Sequence, residues 1–278
     1  MPKYFILNAK NFGISKESNR AVLDGYNNGF LTSAAICVNG KACESALNEI
    51  LPECPNLSIG VNLNLTIGSA LTKNEYLTDK HNHFSNNYFK IRFKSYDKEF
   101  MNEVEKEFRC QIETVLQYSK IDFLDSVHNV HLIGNIFSLV TKLAKEYDIK
   151  FVNTKFEEPY YVPNFFKHLN FRYIPNLVKT ILFNYLSRRN LGKLTVYTNN
   201  YYIGNMYNSM LDKDSIKCGL EAIDDKDNYI VEAGIFPCVY KNSHKKRGVK
   251  EFLLTLDKEL LDSIERMGFE VTNYKKLK

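Results

Sequence analysis

No run of 18 or more apolar residues occurs in this 278-residue chain, so no helix of it is expected to cross a membrane. The opening residues, Met1-Pro2-Lys3-Tyr4-Phe5-Ile6-Leu7, lack the longer apolar core and small-residue cleavage site of a secretion signal. They read instead as a strand that enters a polar loop. The six cysteines (Cys37, Cys43, Cys54, Cys110, Cys218, Cys238) never fall at C-x-x-C spacing, which argues against zinc and disulfides and for reduced, mostly buried thiols. Charge of one sign is lacking as well: 37 basic against 32 acidic side chains leave only +5. Nucleic-acid binding needs a broader basic face interleaved with aromatics. The one basic cluster, His244-Lys245-Lys246-Arg247 with Lys250 behind it, reads as a solvated loop before a helix. There is no glycine-rich phosphate loop, G-x-S-x-G elbow, paired-carboxylate spacing, internal repeat or low-complexity linker. The expectation is a cytoplasmic soluble protein, folded as one domain over residues 1–278, whose 44% apolar content suffices for a full core.

What is present is an alternation of short apolar strands with helical patterns, which predicts an α/β fold with a parallel sheet. Strands are expected at Tyr4–Asn8, Leu31–Val38, Leu57–Leu65, Ile121–Leu124, Lys150–Asn153, Leu194–Thr198, Tyr229–Ile235 and Phe269–Thr272. Helices are expected at Glu17–Asn27, Ala42–Leu51, Asp97–Tyr118, Gly134–Glu146, Val178–Arg189 and Lys250–Met267. The strongest is the fourth-apart series Phe100, Val104, Phe108, Ile112 with Val115. Residues 68–97 show no periodicity and read as a long loop, and 156–190 reads as an irregular, partly helical excursion interrupted by Pro159, Pro163 and Pro175.

Three segments have the form of a catalytic loop following a short apolar strand: Asn8-Ala9-Lys10-Asn11-Phe12-Gly13, Gly60-Val61-Asn62-Leu63-Asn64-Leu65-Thr66, and Leu124-Asp125-Ser126-Val127-His128-Asn129-Val130-His131. Each carries an amide or an ammonium where hydrolytic chemistry wants a carboxylate or an imidazole.

In this order the segments resemble the YdjC-like carbohydrate deacetylases, which include chitooligosaccharide deacetylases. Asn8, Ala9, Phe12, Gly13, Asn19, Gly60, Leu63, Leu65, Thr66, Gly68, Glu107, Gln111, Asp125, Ser126, Val130, His131, Glu232 and Pro237 stand at the family's motif positions. The resemblance covers nearly the whole chain and implies a distorted (β/α) TIM-like barrel with its pocket at the strand C-terminal ends. It also implies a divalent metal held by a carboxylate and two imidazoles, with an Asp as base on the metal-bound water. At those positions this chain has Asn11, Asn62 and Val127 for the ligands and Lys10 for the base. Asn129, Phe236 and Asn153 replace a further site His, the late His and an Arg. A divalent cation needs charged or imidazole donors, and an ammonium beside it would repel it by roughly 4 kcal/mol per unit charge at about 4 Å and an effective dielectric near 20. No metal and no other cofactor is therefore expected.

The expected site residues are Lys10, Asp125 and His131 for chemistry, and Asn11, Asn62, Asn64, His128, Asn129 and Glu232 for substrate contact. For Asp125 and His131 a structural role competes with a place in the pocket. For Lys10, pairing with Asp125 or Glu232 in the vacated metal charge competes with binding an anionic group, or acting as base or imine former. His81 and His83 read as solvated loop residues, and Tyr160, Tyr161, Phe165, Phe166 and the Tyr201-Tyr202 pair as core or sugar-stacking aromatics. The leading reading is a carbohydrate-active protein that binds or processes an acetylated amino sugar or sugar nucleotide without metal, with a homodimer among the expected assemblies. A non-catalytic sugar-binding or scaffold protein in surface-polysaccharide synthesis, and a deacetylase with a rearranged site, are the alternatives.

Overall fold

A computed structural model describes residues 2–163, 172–223, 228–239 and 246–277. Strand β1 (Lys3–Phe12) forms because Phe5, Ile6, Leu7 and Ala9 bury completely on both of its faces, the pattern of a covered parallel strand. Around it lie β2 (Ser33–Ile36), β3 (Ser58–Leu63), β4 (Phe123–Ser126), β5 (Phe151–Val152), β6 (Tyr201–Ile203) and β7 (Tyr229–Ile235), in the order β5-β4-β3-β2-β1-β7-β6. Every pairing is parallel, and β8 (Phe269–Val271) adds beside the first residues of β1. The helices α1 (Lys16–Asn28), α2 (Cys43–Ser45), α3 (Tyr88–Lys94), α4 (Lys98–Leu116), α5 (Gly134–Glu146), α6 (Tyr173–Asn190), α7 (Lys213–Glu221), α8 (Lys246–Thr255) and α9 (Lys258–Arg266) complete a mixed α/β fold. No described helix is long and apolar enough to cross a membrane.

The sheet is a curled parallel half-barrel. Between β5 and β6 there is no ladder, only the Phe151–Tyr197 bridge and a 2.7 Å hydrogen bond from the Tyr202 amide to the Phe156 carbonyl. The strand expected at Leu194–Thr198 is accordingly reduced to the bridge at Tyr197, and the strand comes after it, as β6. Asn199 explains the break, because its side chain, rather than a backbone group, accepts from Thr154 N at 2.8 Å and donates to Thr154 O at 3.1 Å. The expected loop at 68–97 contains α3, started by the Asn87 side chain accepting from Lys90 N. Helix α7 was not expected; Asp212 caps it. The single helix expected at Lys250–Met267 is two, because Asp257 caps α9 at Leu260 N. Pro175 falls in the first turn of α6, where its missing N–H breaks no helical bond, so the helix begins earlier than expected.

Period-two alternation sorts the strands into two faces. Phe5, Leu7 and Ala9 join the main core against the helices. Inside the curl, Ile6, Ala35, Phe123, Phe151 and Tyr274 form a separate apolar layer, and the Tyr274 ring packs 4.5 Å from Phe123 and 5.1 Å from Phe151. Gly60 is required there: a Cβ would come within 2.4 Å of the Phe123 ring. Gly60→Ala is expected to cost about 1–3 kcal/mol by overpacking, and Gly60→Ala with Phe123→Leu to recover most of it. Urea unfolding of both variants checks this, and an unchanged single variant would contradict the packing.

Candidate functional site

One step beyond the apolar layer, toward the strand C-termini, the inward residues turn polar: Asn8 and Lys10 on β1, Asn62 on β3, Asp125 on β4, Asn153 and Lys155 after β5, Tyr202 on β6 and Glu232 on β7. Register brings them level, with Asn62 opposite Asp125 and Tyr202 opposite Glu232. The Lys10 ammonium contacts Asp125 directly and lies 2.6 Å from Glu232. Lys155 lies 2.9 Å from Asp125 and 3.4 Å from Glu232. Two ammonium groups and two carboxylates thus neutralise each other in a place almost sealed from water. Beside them the Tyr202 ring presents its face, its centroid 4.2 Å from Lys155 Nζ and 5.6 Å from Lys10 Nζ. Glu232 also accepts from Asn8 Nδ2 at 3.1 Å, from Asn153 Nδ2 and from the Tyr274 hydroxyl.

Burial alone pushes the Glu232 carboxyl up, but Lys10 and Lys155 overcome it and bring it down to about 2. Burial draws Lys10 well below the usual ammonium value, Glu232 opposes that, and Lys155 reinforces it. An isolated charge at this depth would cost several kcal/mol, which is why four charges sit here together and none alone.

Above the cluster opens a cavity of about 660 Å³, a size that suits a small molecule. Lys10, Asn11, Asn62, Asp125, His128 and Asn129 line it, so six of the nine expected site residues meet there. Asn11 donates to Pro237 O at 2.9 Å and Asn62 to Lys10 O at 2.7 Å, leaving the buried amide oxygen of each without a protein partner. His128 and Asn129 hold left-handed backbone conformations, φ 54° and 56°, which aim that turn at the cavity. The His128 imidazole pairs with Thr66 Oγ1 at 2.9 Å, and burial followed by Lys179 lowers its pKa.

The other three expected residues lie elsewhere. Glu232 sits beneath Lys10 and touches the cavity only through it. His131 is fully enclosed: Nδ1 faces the Ser126 hydroxyl and Nε2 the Asn153 carbonyl at 2.8 Å, so both ring nitrogens are occupied. Burial, then Lys155, lowers its pKa to about 3 and keeps the ring neutral. Asn64 organises a turn, with Nδ2 donating to Ile67 O at 2.7 Å and Oδ1 accepting from Thr66 N and Ile67 N. Glu107 and Gln111 serve the same loop, Glu107 accepting from Leu71 N and Thr72 N and Gln111 donating to Asn64 O. Asn19 ties Gly13 N to Ala42 O. Asp79 accepts from the amides of His81 and His83, and neither imidazole lines the cavity. Tyr160 packs on Tyr207, Tyr161 is exposed, and Phe165, Phe166 and residues 244–245 lie outside the described residues.

Sequence reasoning missed Lys155 and Tyr274, and weighed Tyr202 only as a core or sugar-stacking aromatic; all three complete the cluster. Lys155 was legible in principle, since it follows Phe151 and Asn153 at spacing two and so points the same way. Tyr274 was not, because the turn after β8 that brings it back has no sequence signature. Glu157 was missed as well; it accepts from the amides of Gly204, Asn205 and Met206 and fixes the turn that carries Asn205 to the cavity. Burial raises its carboxyl to about 7 against those amides.

A divalent metal does not fit this donor set. Among the described residues no three His, Cys, Asp or Glu side chains gather to hold one, and the space between Asp125 and Glu232 is filled by the Lys10 ammonium.

Comparison with known proteins places this geometry. A carbohydrate deacetylase of Clostridium beijerinckii is 34% identical over 147 residues, 52% of this chain and 57% of that protein. One from Geobacillus stearothermophilus is 30% identical over 164 residues, 59% of this chain and 64% of that protein. The chain thus spans under two thirds of these relatives' length. A crystal structure from Enterococcus faecalis V583, provisionally named a cellobiose-phosphate cleavage protein, superposes with a TM-score of 0.76 at 19% identity, covering 100% of this chain and 99% of that one, which shows a shared fold. The sequence profile described as YdjC-like protein matches residues 4–266, nearly the whole chain, and the chain belongs to the YdjC-like family.

Proposed function

We propose that this protein binds or processes a carbohydrate, an acetylated amino sugar or a sugar nucleotide, without the family's metal-dependent deacetylation. We read its curled sheet as a distorted TIM-like barrel. The observation that carries the proposal is the Lys10 ammonium between Asp125 and Glu232 at the cavity floor, with Lys155 completing the charge balance. Two fixed ammonium groups supply the positive charge that the family's metal would bring, but they offer no open coordination position to activate water. What faces a ligand is an array of hydrogen-bonding groups: the free amide oxygens of Asn11 and Asn62 to accept from sugar hydroxyls, and Lys179 and Arg247 at the cavity wall to meet a phosphate. Those amide oxygens favour a ligand with donors, since each left unpaired costs on the order of 1–3 kcal/mol.

Calorimetry against acetylated amino sugars and their nucleotide forms tests this. Binding is expected, and Lys179→Ala should weaken the nucleotide form by about tenfold while leaving the neutral sugar unchanged. A second arm separates loss of the metal site from a different architecture. Lys10→Asp, Asn11→Asp, Asn62→His and Val127→His together restore carboxylate and imidazole donors on residues that all line the cavity. The fourfold variant should bind a divalent metal, with little deacetylase activity because Phe236 still occupies the place of the late His. Stoichiometric metal and deacetylation by the unaltered protein would refute the reading.

A further inference from the structure

Helix α6 is apolar on two sides, one facing the core and one facing solvent. It buries Phe183 and Leu186 in the core, with Asn176, Thr180, Ser187 and Asn190 beside them, and on its other side exposes Ile174 (67%), Val178 (61%), Ile181 (63%) and Tyr185 (59%). Those four recur at spacings of four, three and four, so they form one continuous stripe along the outside of the helix. Beside it, α3 and the residue pair after it expose Phe89 (68%), Phe93 (75%) and Tyr96 (67%). The two helices adjoin: the Tyr88 and Phe183 rings lie 6.5 Å apart, and both helices contribute to the cavity wall. An apolar face of this extent is unusual on a protein that meets only water.

Charge identifies the occupant. Helix α3 carries Lys90, Arg92 and Lys94, helix α6 carries Lys179, Arg188 and Arg189, and neither contains an Asp or Glu. A second copy docked through this face would set these cations against their own kind. A surface that is apolar within and negative at its boundary would complement both the stripe and the cations. We propose that the α3–α6 face docks this protein on an anionic membrane, the exposed apolar side chains entering the headgroup boundary and the lysines and arginines meeting lipid phosphates. The cavity then opens at headgroup level, within reach of a membrane-borne glycoconjugate. The docking face and the metal-free reading of the pocket are separable, because the stripe residues named for mutation do not line the cavity.

The full chain is sedimented with vesicles of phosphatidylcholine alone or containing about 30% phosphatidylglycerol, and its solution mass is measured by light scattering. Partitioning to the anionic vesicles is expected to exceed that to the neutral ones by about tenfold or more and to weaken in about 0.5 M salt. Val178→Ser, Ile181→Ser and Phe93→Ser together should reduce partitioning by about tenfold, with circular dichroism and sugar binding retained because all three side chains are solvent-facing. Lys90→Glu with Arg189→Glu should abolish the preference for anionic lipid. Absence of partitioning overturns the proposal, as does a triple variant that partitions as well as the parent. A dimer that the triple variant dissociates, in a protein indifferent to vesicles, assigns the face to a second copy instead.

Discussion

Glu232→Ala is expected to remove about 3–5 kcal/mol of folding stability, the usual cost of breaking a buried ion pair from one side. Glu232 is fully buried and receives Lys10, Lys155, Asn8, Asn153 and Tyr274. Its loss leaves two ammonium groups facing Asp125 alone, with three neutral donors unsatisfied. At about 2–4 °C per kcal/mol for a domain approaching this size, the melting temperature should fall by roughly 6–20 °C. Glu232→Gln keeps the shape and some of the hydrogen bonds, and should lie between the two. Lys155→Met in the Glu232→Ala background should cost much less than Lys155→Met alone, because it removes a charge already stranded. Urea unfolding of the four proteins gives the cycle. Additive effects would mean that the charges do not act as a unit.

Acid should act on stability in two regimes. A His131 pKa of about 3 in the folded protein, against an ordinary 6.5, means that between these values the unfolded chain holds one more proton. Stability therefore falls by about 1.4 kcal/mol per pH unit on acidification through that range. Glu157 has the opposite sign: its folded value of about 7 lies above the ordinary 4.5, so the folded protein holds the extra proton between them and gains stability as pH falls. From pH 6.5 to 4.5 the two nearly cancel, with the lowered His128 tilting the balance toward loss. Below 4.5 Glu157 is protonated in both states and drops out. Glu232, held at about 2, joins His131, and the slope steepens to about 3 kcal/mol per unit down to pH 3. Urea midpoints across pH 3–8 should show a shallow region and then a steep fall, and Glu157→Gln should remove the shallow region. A uniform slope from pH 7 downward would contradict these assignments.

Much of this was legible in residue order. The parallel α/β fold follows from apolar strands alternating with amphipathic helices, and Lys10, Asn11, Asn62, Asp125, His128 and Asn129 share one cavity because each stands at or just past a strand end. Three things were not legible. Asn64 was expected to contact substrate and Glu107 stands at a motif position, but both serve the loop at 64–72, and sequence cannot distinguish a side chain that meets ligand from one that holds the loop. The half-barrel's open seam depends on the Asn199 side chain taking over hydrogen bonds that a strand would make, which no propensity encodes. A helix was expected from Val178, but that an apolar stripe of α6 faces outward was not legible, because a periodic pattern carries no sign for inside and outside.

The Tyr274 hydroxyl on Glu232 has a consequence for the order in which the protein comes into being. Lys10 is made well before Glu232, and Tyr274 after both, yet the three meet beneath one cavity. Strand β1 must wait for β7 and β8 before its edges are filled. Until those segments follow, a nascent chain has only Asp125 to meet Lys10 and leaves one edge of β1 unpaired, and contacts so distant in sequence form slowly. The cavity cannot be assembled piecemeal from the N-terminus. Its floor is complete only once residue 274 has cleared the ribosome.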